Sequence, residues 1–228
     1  GDSIGYVGFI KIADQYSGTD AANLAKAYAG LCYAHLGKFD EAVKALENFD
    51  GDDQMVAPAM KGAMGNCYAQ LGQLDKASSM LLKAADEADN NTLSPIYLKQ
   101  AGEILVKQGK YDDAYSAYYK ATWNAAWRDA GYFGVAQIDC IRENWTAALE
   151  HIDLALIHNW HNHKARQLKA SILRHSGKTE EALKFIEESL IVDKFNLGCR
   201  FEKYFIESNP VELQEMLSIL NGSVHNYI

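Results

Sequence analysis

Five short stretches recur along the chain at a nearly constant interval: LGKFDEA (36–42), LGQLDKA (71–77), QGKYDDA (108–114), RENWTAA (142–148) and SGKTEEA (176–182). Measured from the turn glycine, or from Glu143 where the fourth stretch lacks one, the spacings are 35, 37, 34 and 34 residues. Self-similarity at this period is the signature of helix–turn–helix repeats. The residue types fit that reading. Glycine ends one helix in a left-handed conformation. An aromatic residue or leucine then packs, and a small alanine lets the second helix approach the first.

On these residues the chain resembles a tetratricopeptide repeat (TPR) array. In that register the small residue of each first helix is Gly30, Gly65, Gly102, Ala136 and Ala170, and the close-contact alanine of each second helix is Ala42, Ala77, Ala114, Ala148 and Ala182. The proline usual near the repeat end is missing throughout. The resemblance covers roughly residues 20–194 and implies an all-α fold: an α-solenoid of about five repeats, with capping helices near 4–16, 195–207 and 210–221. Pro58, Pro95 and Pro210 fall at predicted helix starts, where a missing N–H is tolerated. Cys32 and Cys67 share a slot that Ile104, Ile138 and Ile172 fill elsewhere, so they are expected to act as small hydrophobes.

Composition shifts near residue 122. All five arginines, all four tryptophans and six of seven histidines follow it, whereas four of five methionines precede it. This predicts two arrays, 1–122 and 111–228, joined through the helix around 111–124. Residues 1–122 resemble TPR proteins of the bacterial envelope. Residues 123–228 resemble the TPR tail of larger bacterial proteins with a carbohydrate-enzyme-like front. The seam therefore reads as a hybrid, an engineered chimera of parents from the bacterial envelope or periplasm. Tyr118, Trp123 and Trp127 are expected to form its junction core. Gly1-Asp2-Ser3 reads as a tag-cleavage remnant.

No motif for a nucleophile, phosphate loop or zinc protease occurs. Adjacent carboxylates such as Asp112-Asp113 diverge on a helix and do not converge on one substrate. The chain is read as a non-enzyme with no cofactor. His158, His161 and His163 cluster without a nearby carboxylate or cysteine, so no metal site is assigned; the loop is expected to rest on Trp160. A net charge of −8 argues against nucleic-acid and anionic-membrane binding. Two readings remain: a hybrid scaffold whose role is a rigid, defined shape, and, as the alternative, a natural bacterial envelope module that holds a peptide or helix of another protein in its concave groove, with end-to-end pairing of two copies as a further option. The resemblance implies that first-helix positions line its groove: Ala27, Leu31, Gly62, Asn66, Lys99, Glu103, Phe133, Gln137, Gln167 and Arg174.

Overall fold

The computed structural model describes residues 7–225; the start predicted for the first capping helix at Ile4 and the Gly1-Asp2-Ser3 remnant lie outside them. Every regular element among the described residues is helical. In chain order these are α1 (Phe9–Gln15), α2 (Asp20–His35), α3 (Phe39–Glu47), α4 (Val56–Gln70), α5 (Leu74–Ala88), α6 (Ser94–Lys107) and α7 (Tyr111–Ala121). A 3₁₀ turn (Ala125–Trp127) precedes α8 (Arg128–Ile141), α9 (Trp145–His158), α10 (His163–His175), α11 (Thr179–Val192), α12 (Leu197–Glu207) and α13 (Pro210–His225). The helices form two compact units, residues 1–127 and 128–228. None of the described helices is long and apolar enough to cross a membrane.

In the first unit, α2 pairs with α3, α4 with α5 and α6 with α7; in the second, α8 pairs with α9 and α10 with α11. The turn stretches explain the pairing. Gly37, Gly72, Gly109 and Gly177 hold φ between 71° and 75°. Each lets the next N–H reach back to a carbonyl five residues earlier, as Lys38 does to Tyr33 at 2.9 Å. Glu143 adopts the same left-handed conformation at φ 56°, and Asn144 reaches Asp139 at 2.9 Å. Without glycine this costs about 1 kcal/mol. Asn144 offsets part of it by capping α9, accepting from the Ala147 N–H at 3.3 Å.

The alanines of the second helices, Ala42, Ala77, Ala114, Ala148 and Ala182, are fully buried. Opposite them the first helices are notched. A Cβ at Gly30 would sit 2.5 Å from Leu46 Cγ, at Gly65 2.8 Å from Leu81 Cγ, and at Gly102 2.7 Å from Tyr118 Cε1. Ala136 and Ala170 take the same place in the second unit's core, beside Ile152, Ile172 and Ile186. Cys67, Ile104, Ile138 and Ile172 are buried in their shared slot, but Cys32 is exposed. The seven-residue α1 buries no residue of its own and leaves that slot of α2 open. Pro210 opens α13, whereas α4 and α6 begin two and one residues before Pro58 and Pro95. Asp53 explains the earlier start of α4: its carboxylate accepts from the N–H groups of Met55, Val56 and Ala57 at 2.7, 2.5 and 3.3 Å.

Candidate functional site

The first helices of the repeats carry the residues expected to meet a partner. Thr19 fixes the start of α2 by accepting from the Ala22 N–H at 3.2 Å, and Asn162 fixes α10 by accepting from Ala165 at 3.1 Å. The register then decides what each helix presents. In the first unit Asn66 and Glu103 are exposed and Leu31 and Lys99 half-buried; in the second Gln137 and Gln167 are exposed and Phe133 and Arg174 half-buried.

Two expected groove residues are buried instead. Ala27 is 2% exposed, and Gly62 lies beneath the ring of Tyr97, where a Cβ would stand 2.3 Å from Tyr97 Cε1. A partner can reach neither. Tyr97 of α6 fills the Gly62 notch of α4, so this position sets the approach of successive first helices.

Other expected groove side chains already have partners. Lys99 and Glu103 pair one helical turn apart at 2.5 Å. Phe133 packs on the core of the second unit. Gln167 lies across Gly198 of α12, where a Cβ would meet its Cδ at 2.2 Å. Arg174 Nε donates to the buried Glu202 at 2.7 Å, and its guanidinium lies 5.4 Å from the Phe205 ring centre. Arg174 thus ties α10 to α12. Asn66 and Gln137 are left as the expected groove residues exposed and without such packing.

Of the expected junction core, Tyr118 is buried, and burial followed by nearby Glu103 pushes its hydroxyl pKa well up. Trp127 is half-buried. Trp123 is 72% exposed and is not core. The helix stops at Ala121, where Thr122 Oγ1 donates to the Tyr119 carbonyl at 2.7 Å and competes with the helical ladder. Tyr115 and Tyr119, which the register did not place, stack on each other with ring centres 6.2 Å apart.

The histidine loop behaves as a polar connection. His158 stacks on Tyr132, and His163 approaches Asp193 at 3.5 Å. Among the described residues no three His, Cys, Asp or Glu side chains are placed to hold a metal ion. Trp160 does not sit beneath this loop as expected. It is 48% exposed and covers the fully buried Arg166, whose guanidinium lies 4.2 Å from the Trp160 ring and 5.0 Å from that of Phe185. Arg166 Nη1 donates to the Trp160 carbonyl at 3.3 Å, while Nε and Nη2 are buried without a partner. The repeat pattern gave no sign of Arg166, nor of Asp139, buried and paired with His151 at 2.7 Å.

Residues 59–91, which take in most of α4, its turn and α5, match the tetratricopeptide repeat family. Over 75–86% of its length the chain resembles solved TPR proteins in structure. The chain has the tetratricopeptide-repeat fold. A MamA crystal structure is similar at a TM-score of 0.65 and 17% identity, covering 75% of this chain and 92% of that one. MamA from Desulfovibrio magneticus RS-1 gives 0.63 and 15%, over 75% and 95%. YrrB, described as a TPR protein with an unusual peptide-binding site, gives 0.66 and 14%, over 86% and 98%. No curated protein matches the chain. No catalytic family accompanies the TPR match, and TPR folds generally serve as scaffolds for protein–protein interaction.

Proposed function

We propose that the chain is a non-enzymatic scaffold that holds a peptide or helix of a partner protein against its first-helix face. The observation that carries this reading is the exposure of Asn66 and Gln137 at the same register position of helices whose neighbouring positions are sealed by packing. Amides at that place offer both a donor and an acceptor to a peptide backbone. The peptide-binding site of the similarly folded YrrB supports the same use of the fold. A photo-crosslinking residue at position 66 in the first unit, or at position 137 in the second, is expected to capture a partner, whereas the same residue at exposed Lys83 captures none. Equal capture from all three positions, or none from 66 and 137, would refute the reading.

The concentration of arginine and tryptophan after residue 122 supports a second reading. In it the chain is a hybrid of arrays 1–122 and 111–228, and its role is a rigid, defined shape. Separately produced pieces that each fold and bind nothing in common favour the hybrid. Pieces that fold only when joined exclude it. End-to-end pairing of copies belongs to the same proposal, supported by exposed Val7, Phe9, Ile10 and Leu36; sedimentation of the chain as a monomer at high concentration would remove it.

A further inference from the structure

A cavity of about 320 Å³ opens in the first unit, where the carboxyl ends of α5 and α7 meet the start of α6. Most amide and hydroxyl groups around it are spent internally. Asn90 Nδ2 donates to the carbonyls of Gln54 and Ala88, both at 3.0 Å, and its Oδ1 accepts from Thr92 and Leu93 at 2.9 and 2.8 Å. Ser94 Oγ donates to the Ala85 carbonyl at 2.8 Å. Asn124 Nδ2 donates to the Asn91 carbonyl at 2.7 Å, and its Oδ1 accepts from Ala126 at 2.9 Å.

The acidic and aromatic groups on the wall are left unspent. Asp86 and Asp89 line the cavity, and neither carboxylate has an ion-pair partner among the described residues. The Trp123 indole borders it with 72% of its surface exposed. Carboxylates only accept hydrogen bonds, and an indole face attracts cations. The carboxyl ends of α5 and α7 add partial negative charge. The start of α6 opposes them with few free donors: Pro95 brings no N–H, and the Ser94 and Ile96 N–H groups donate to the Asn90 and Leu93 carbonyls. Lys120 is the single basic residue on the wall, facing two acids.

We propose that this cavity receives an arginine side chain of the partner protein, with the guanidinium flat on Trp123 and its N–H groups donated to Asp86 and Asp89. A planar fork that both stacks and donates suits this wall better than an ammonium. A saccharide needs donors as well as acceptors, and the Asn90 and Asn124 amides are already given to backbone carbonyls. An anion meets two carboxylates. The inference rests on the reading of the chain as a partner-binding scaffold, and its site is separate from Asn66 and Gln137.

The test uses the full chain and N-acetylarginine amide, with N-acetylcitrulline amide as the uncharged isostere, followed through the Trp123 indole N–H resonance. Saturable shifts with the arginine compound, and none with citrulline, are expected. The Asp86→Asn/Asp89→Asn double variant should weaken binding about fivefold or more, and Lys120→Ala should tighten it. Equal response to citrulline, weaker binding in Lys120→Ala, or no shift at Trp123 overturns the proposal. Crosslinking at positions 66 and 137 is read independently, so loss of the arginine site leaves the scaffold reading standing, and loss of crosslinking does not mimic it.

Discussion

Gly62 offers a direct measure of how tightly the first helices are fitted together. Alanine at an interior helical position normally stabilises by about 1 kcal/mol relative to glycine. Here its Cβ would stand 2.3 Å from Tyr97 Cε1 and 2.7 Å from Cζ, and Tyr97 is only 7% exposed, so the ring has little room to retreat. Overpacking of this sort costs about 1–3 kcal/mol. Gly62→Ala should therefore lose about 1 kcal/mol net, with the propensity gain hidden beneath the clash. Removing the ring exposes that gain. Tyr97→Ala alone should cost about 3 kcal/mol through the cavity it leaves. In that background Gly62→Ala should stabilise by about 1 kcal/mol, a coupling of about 2 kcal/mol between the sites. Urea denaturation of all four chains, followed by circular dichroism, gives the midpoints and slopes. A raised midpoint for Gly62→Ala in the native background, or a change of the same sign in both, would refute the notch-and-ring packing.

Glu143→Gly should stabilise the second unit by about 1 kcal/mol by relieving the positive φ, read as a higher urea midpoint; a lower one would mean that the Glu143 side chain holds the turn. The cysteines should separate by reactivity: Cys32, exposed, is alkylated first, while burial pushes the Cys140 and Cys199 thiols up to about 11 and keeps both protonated and slow at neutral pH. Because their pKa is raised in the fold, the stability linked to these two thiols is full below pH 9.0, the ordinary thiol value, and is lost as pH climbs toward about 11. A thermal midpoint that rises across that interval would contradict it.

The repeat register was legible because its marks are local. A glycine five residues before an alanine states a turn and a close contact, and the fold follows even where Glu143 takes the glycine's place. What the register could not state is which neighbour reaches into which notch. Gly62 and Ala27 look like open groove positions when each helix is read alone; Gly62 is closed by Tyr97, a residue 35 positions later in the chain. Trp123 was misplaced for the opposite reason. Residues 111–124 read as one helix, but Thr122 turns its hydroxyl back onto the Tyr119 carbonyl and the helix ends. Arg174 and Gln167 carry polar side chains fit for a partner, yet α12 occupies both, and nothing in their own repeat announces α12.

The notches also limit how freely the repeats could be exchanged. Gly30 and Gly65 each admit a leucine, Gly102 admits a tyrosine, and the second unit fills the corresponding places with Ala136 and Ala170. Hole and knob are matched within each repeat, so whole repeats carry their own fit when moved. The Gly62–Tyr97 match spans two repeats and is broken by any reordering. Evolution by duplication would thus copy the inner fit faithfully and have to rebuild the outer one each time, which makes the order of repeats, more than their number, the inherited property of the chain.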